Sequence, residues 1–263
     1  MNNKLKRILS IGVTLVCAGV FVYAAHGLIS TYLDYHNNSK TMDDLQQTFY
    51  EGGGFTEWAD NDGDELNVRS GFDVLLEENE ELVGWITIDG TQIDYPILQS
   101  DNNFDYLRHD FHNDYNILGS IFMDFRNDIT SLGKNTIVYG HRTKDQSMFE
   151  GLTKYEDQAF FEEHQSFTFD TLYDSYEAEI FAVYNTTTDF NYIQTDFAND
   201  EDFDALLNKI DGHSLYDTGV DVTADDHILT LSTCDYELDE LTGRFVVQAK
   251  LTKKDSGAVQ AAK

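Results

Sequence analysis

Hydrophobic positions fall into three regimes along the chain. From Ile8 to Ile29, 22 residues run without Asp, Glu, Lys or Arg, long enough for a helix to span a bilayer. Polar residues dominate from there to about residue 70, interrupted by Gly52-Gly53-Gly54. That pattern predicts a stalk containing one short helix over Asp43–Tyr50. From Gly71 onward, short runs rich in β-branched and aromatic residues alternate with turn residues: Gly84–Ile88, Asp94–Leu98, Ser120–Met123, Thr136–Tyr139, Ser166–Leu172, Glu177–Tyr184, His227–Thr233 and Arg244–Leu251. Eight such runs predict the strands of a small closed barrel. Helical periodicity enters once clearly, where Phe203, Leu206, Leu207 and Ile210 recur at i, i+3, i+4 and i+7 within Glu201–Ile210. Met148–Tyr155 and Asp157–His164 read as shorter helices. The expected architecture is therefore mainly β with added helices, laid out as a basic tail (1–7), a membrane anchor (8–29), an acidic stalk or N-terminal helical region (30–70), one folded domain (71–252) and a polar tail (253–263).

Charge sharpens the picture. Lys4, Lys6 and Arg7 precede the apolar stretch, which predicts a cytoplasmic N-terminus and an extracellular domain. Val22-Tyr23-Ala24 could serve a signal peptidase instead; the length of the stretch, with His26 near its outer end, favours a retained anchor. The whole chain carries −31. Residues 1–40 hold a net +3, from Lys4, Lys6, Arg7 and Lys40 against Asp34, which leaves −34 on residues 41–263. A surface so acidic repels phosphates and excludes nucleic acid as a partner. The run Asp60-Asn61-Asp62-Gly63-Asp64-Glu65 superficially resembles a calcium loop, but Gly63 is fourth and position twelve is Gly71, whereas a calcium loop places glycine sixth and glutamate twelfth. It reads as solvated linker. No Cys/His cluster has zinc spacing, and neither a metal nor a cofactor is implied.

Cys17 lies inside the apolar stretch, so Cys234 is the one thiol outside it. A single external cysteine in an exported chain suggests a thiol kept free for chemistry. Cys234 ends the run Ile228–Cys234, and Arg244 opens the next run ten residues later. Two apolar stretches joined by a short polar loop read as an antiparallel pair, which sets thiol and guanidinium across a hairpin mouth. His141 follows the run Asn135–Gly140 on a loop at a strand end. Together these three residue types divide the work of acyl transfer: thiolate as nucleophile, imidazole as proton carrier, guanidinium as stabiliser of the oxyanion or substrate backbone. Singly, each has an ordinary structural explanation: a small buried hydrophobe, a hydrogen-bonded histidine, a surface cation.

The stretch from about Leu82 to Leu251 resembles the class B sortases, membrane-anchored cysteine transpeptidases of Gram-positive bacteria. The resemblance is carried by Gly84-Trp85-Ile86, Asp94-Tyr95-Pro96-Ile97, Gly119-Ser120-Ile121-Phe122-Met123-Asp124, Tyr139-Gly140-His141, Ser147-Met148-Phe149, Thr230-Leu231-Ser232-Thr233-Cys234 and Arg244-Phe245-Val246-Val247, in the family's order. It implies an eight-stranded barrel with a helix between the sixth and seventh strands, which Glu201–Ile210 supplies. It also implies cleavage after threonine in a C-terminal sorting motif through a Cys234 acyl-enzyme, with transfer to an amine of a cell-wall precursor or a pilin lysine. His141 and Arg244 complete the implied catalytic set. The implied peptide groove takes in Asn103, Leu107, Tyr139, Tyr192, Ile193, Ser232 and Asp235. Asp235 departs from a shared pattern, since the residue after the cysteine varies in the family; its carboxylate could oppose the thiolate or orient Arg244. A hydrolytic cysteine peptidase would use the same Cys and His, and a non-catalytic surface-binding module would need neither.

Overall fold

The computed structural model describes residues 3–54 and 67–254 of the chain. The Asp60–Glu65 cluster and residues 255–263 lie outside the described residues. Helix α1 runs unbroken from Asn3 to Glu51. It ends at the glycine triplet, where Gly53 and Gly54 take φ of 113° and 52°, values that cost glycine little and other residues much. The expected short helix over Asp43–Tyr50 is therefore the last part of a far longer one that also takes in residues 30–42. The apolar first part of α1 is long enough to cross a membrane, and among the described residues none of it is buried within the protein. Its last turns differ. Met42, Leu45 and Phe49, at i, i+3 and i+7, are buried in the main core, and the Phe49 ring stacks on Trp85 with centroids 4.3 Å apart. The folded unit thus begins upstream of Gly71, because one face of a polar-looking segment is apolar enough to pack.

Helix α2 (Ser70–Glu78) was not legible in the pattern; it buries Phe72 and Leu75, and Phe72 packs on Phe49. Arg69, just before it, meets Asp170 at 2.7 Å with both side chains buried.

Eight strands follow: β1 (Leu82–Thr87), β2 (Asp94–Leu98), β3 (Phe122–Met123), β4 (Asn135–Tyr139), β5 (Ser166–Thr171), β6 (Ser175–Thr187), β7 (His227–Cys234) and β8 (Gly243–Lys253). They close into a barrel in the order β1-β2-β3-β4-β7-β8-β6-β5, which leaves no long edge unpaired. Strand β3 is shorter than its apolar run because Ser120 is drawn away by hydrogen bonds from its N–H to the Tyr106 carbonyl and from its hydroxyl to the His109 carbonyl. Strand β6 is longer than expected, with a bulge between Ile180 and Ala182. Phe149–Glu156 forms a 3-10 helix, and α3 (Gln158–Glu163) follows with the Asp157 side chain capping the Ala159 N–H. Helix α4 (Asp200–Asp211) lies between β6 and β7 in the chain and is capped by Asn199. Its four periodic apolar residues pack on Ala182, Tyr184, Ile228 and Val246 as a second apolar cluster.

Two strand pairings matter for the chemistry. Strands β4 and β7 run parallel with Tyr139 opposite Ser232. Strands β7 and β8 run antiparallel with Cys234 opposite Arg244.

Candidate active site

Cys234 is the last residue of β7 and is half-buried. Directly across the ladder stands Arg244, as the hairpin reading requires. The loop between them is closed by backbone bonds from Asp235 N–H to the Gly243 carbonyl at 2.9 Å and from Gly243 N–H to the Asp239 carbonyl at 3.1 Å. A Cβ at Gly243 would sit 2.1 Å from the Asp235 carbonyl oxygen, so only glycine permits this closure. Arg244 donates from Nη1 to the Gly243 carbonyl at 2.7 Å and to the Leu241 carbonyl at 3.4 Å. Among the described residues, its Nε and Nη2 bond to no protein acceptor, which leaves one edge of the guanidinium for an anion.

Parallel pairing brings in the histidine. Because Tyr139, the last residue of β4, lies opposite Ser232, the chain leaves β4 at the barrel end where β7 delivers Cys234, and His141 follows two residues later. Its ring Nε2 lies 2.9 Å from the Leu107 carbonyl oxygen. A carbonyl only accepts, so Nε2 carries the proton and Nδ1 is the nitrogen left for proton transfer. Burial pushes the His141 pKa down, and the nearby Arg108 charge adds to this against the raising effect of the Leu107 bond. The imidazole is thus held neutral over a wider pH range than an exposed histidine.

Of the implied groove residues, Leu107 bonds His141, Tyr192 and Ser232 bond each other two residues before Cys234, and Asn103, Tyr139 and Ile193 are tied to Asp124 and Arg126. Tyr192 is buried and its hydroxyl is 2.8 Å from Ser232 Oγ. Burial raises the Tyr192 pKa; the Ser232 bond and Arg244 oppose the rise, and Cys234 adds to it. Leu107 contributes its carbonyl to His141. Tyr139 donates its hydroxyl to Asp124 Oδ2 at 2.8 Å, Asn103 donates from Nδ2 to the same oxygen at 2.9 Å, and the Ile193 carbonyl accepts from Arg126 Nη2 at 3.1 Å.

Asp235 answers the question left open by the sequence: its partner is Arg142, not Arg244. Asp235 Oδ1 accepts from Arg142 Nη1 at 3.4 Å and from the backbone N–H groups of Glu237 and Leu238. Arg142 also bonds Glu150 at 2.9 Å. Sequence reasoning missed Arg142, Asp124 and Arg126, and it missed Tyr236. The Tyr236 hydroxyl pKa is raised by partial burial and then by the neighbouring Cys234. The one available signal was adjacency, since Arg142 and Asp235 directly follow the histidine and the cysteine.

A sortase-domain family model matches residues 86–252. The chain belongs to the sortase family. Sortase B of Listeria monocytogenes is 42% identical over 251 residues, covering 95% of this chain and 100% of that protein. The structure of sortase B from Bacillus anthracis in complex with AAEK1 aligns with a TM-score of 0.75 at 45% identity, covering 85% of this chain and 100% of that one. The Staphylococcus aureus sortase B–substrate complex aligns with a TM-score of 0.77 at 40% identity, again over 85% of this chain and 100% of that one. The sortase is accordingly of class B, a cysteine transpeptidase built on the closed eight-stranded barrel.

Proposed function

We propose that Cys234, His141 and Arg244 form the catalytic centre of this sortase and that its substrate is a protein bearing a C-terminal sorting motif cleaved after threonine. The observation that supports the reading is the register: Arg244 stands opposite Cys234 on β8, and β4, whose last residue Tyr139 pairs with Ser232, leads into the loop that carries His141. In the first half-reaction the Cys234 thiol passes its proton to His141 Nδ1, and the resulting thiolate attacks the threonine carbonyl carbon. The scissile C–N bond breaks, His141 delivers a proton to the departing amine, and a thioester remains. In the second, an amine attacks the thioester carbonyl, gives a proton to His141 Nδ1 and releases the thiolate. The open edge of Arg244 stabilises the oxyanion of each tetrahedral intermediate or steadies the substrate backbone. Thiolate and imidazolium titrate as a coupled pair.

Asn103, Leu107, Tyr139, Tyr192, Ile193, Ser232 and Asp235 line the groove in this reading, which takes an extended peptide. The acceptor amine belongs to a cell-wall precursor or a pilin lysine. The apolar first part of α1 anchors the enzyme, with the basic tail inside and the barrel outside the cell.

The test uses a fragment from Asp34 onward, which retains the core-packed turns of α1. It is incubated with sorting-motif peptides, with and without an amine, and Cys234 is followed by mass spectrometry. A Cys234-linked acyl adduct, absent in Cys234→Ala and converted to amide by the amine, supports the reading. A folded protein with a reactive Cys234 thiol and no adduct from any peptide defeats it.

A further inference from the structure

Three groups in the candidate groove, the Asn103 amide, the Tyr139 hydroxyl and the Ile193 carbonyl, come from three separate segments, and one ion pair, its carboxylate buried and its guanidinium about a third exposed, touches all of them. Asp124 directly follows β3 and is fully buried. Its carboxylate accepts five hydrogen bonds: from Arg126 N–H at 3.0 Å, Nε at 2.7 Å and Nη2 at 2.7 Å, from the Tyr139 hydroxyl at 2.8 Å, and from Asn103 Nδ2 at 2.9 Å. Burial opposes ionisation of Asp124, yet these donors, those of Arg126 foremost, hold its carboxyl below the usual range. The same Arg126 Nη2 reaches the Ile193 carbonyl at 3.1 Å. Only a planar fork can bind both carboxylate oxygens and retain a donor for a third group.

The tethered segments are those that flank the chemistry. The loop holding Asn103 also holds Leu107, whose carbonyl orients His141. Ile193 follows Tyr192, which bonds Ser232 two residues before Cys234. We propose that the Arg126–Asp124 pair is a positioning device for peptide recognition, tying the Asn103 and Tyr139 wall of the groove to the Ile193 wall and fixing its width before substrate arrives. This rests on the proposed function, in which these residues line the substrate groove. Arg126 is then a positioning residue whose loss weakens peptide capture while the thiol chemistry persists.

The experiment compares the detergent-solubilised full chain with Arg126→Lys, and with Arg126→Gln combined with Asp124→Asn, which leaves no buried carboxylate uncompensated. KM and kcat are measured with a sorting peptide that acylates Cys234, alongside the rate of Cys234 alkylation by iodoacetamide and the melting temperature. Arg126→Lys is expected to raise KM about tenfold, the equivalent of one lost charge-assisted bond, with kcat and alkylation within about twofold of the parent. The double variant recovers melting temperature but keeps the raised KM. A parental KM in either folded variant overturns the positioning role. So does a parallel fall in kcat, alkylation and melting temperature, which marks general loosening. A wild-type chain that forms no Cys234 adduct overturns the groove reading itself, whereas an adduct with an unchanged variant KM overturns only the role of Arg126.

Discussion

Replacing Arg142 by glutamine should separate the histidine loop from the cysteine loop. Arg142 directly follows His141, and its Nη1 lies 3.4 Å from Asp235, next to Cys234. Its Nε grips Glu150 at 2.9 Å within its own loop region. Arg142 is 17% exposed and Asp235 5%, so the pair is only partly screened; Glu237, at 3.6 Å and 85% exposed, adds little. A pair at this separation is worth about 5 kcal/mol of gross attraction at an effective dielectric of 20. Asp235 keeps two backbone donors, and desolvation cancels much of the gross figure, so the net loss is about 1–2 kcal/mol. For a domain of this size that lowers the melting temperature by roughly 2–8 °C. The larger effect is geometric: a displacement approaching 1 Å between imidazole and thiol slows acylation by up to about a hundredfold. The assay is a double-mutant cycle with Asp235→Asn, read by thermal melting and by the rate of acyl-enzyme formation. If the two substitutions add to within about 0.3 kcal/mol in both readouts, the loops are uncoupled and the argument fails.

Three further outcomes follow from the same geometry. Arg244→Lys should cost at least about tenfold in acylation, because an ammonium cannot offer the free guanidinium edge; near-parental single-turnover rates would remove Arg244 from that role. Arg108→Gln deletes a charge that lowers the His141 pKa, so the His141 titration midpoint followed by NMR should rise, yet stay below that of an exposed histidine because burial remains. Its imidazolium would then persist to higher pH, and the difference should shrink with added salt; a midpoint that stays or falls contradicts the assignment. Phe49→Ala removes a fully buried ring stacked on Trp85 and should cost about 3–5 kcal/mol, seen in denaturant melts; a cost under about 1 kcal/mol would mean that the end of α1 is not part of the core.

The barrel was legible because a strand writes its identity locally. The runs from Asp94–Leu98 to Arg244–Leu251 carry β-branched and aromatic residues between turn residues, and each became a strand. The Cys234–Arg244 pairing followed from the spacing of two such runs and a loop. What escaped was non-local. The parallel pairing of β4 with β7, which brings the loop bearing His141 to the barrel end where β7 delivers Cys234, joins segments about 90 residues apart and leaves no periodic mark. Asp124 and Arg126 look like any solvated charges until the fold buries one of them, and Asp235 has two arginines in plausible reach until the loop turns it toward Arg142. The continuity of α1 was hidden for another reason: its polar residues after Ile29 match a stalk, and only the spacing of Met42, Leu45 and Phe49 betrays a buried face.

That continuity has a mechanical meaning. Between Ile29, where the apolar stretch ends, and Asn38, whose side-chain oxygen is bonded by Asn116 of the domain, fewer than ten residues of α1 intervene, about 14 Å of helix. Seated in a bilayer by its apolar part, the helix would behave as a stiff post welded to the barrel, not as a tether. The Cys234 end of the barrel would then be held at one height above the lipid surface and at one compass bearing. Each residue inserted into that interval would lift that end by about 1.5 Å and swing it by about 100°, so a change in post length alters aim before it alters reach.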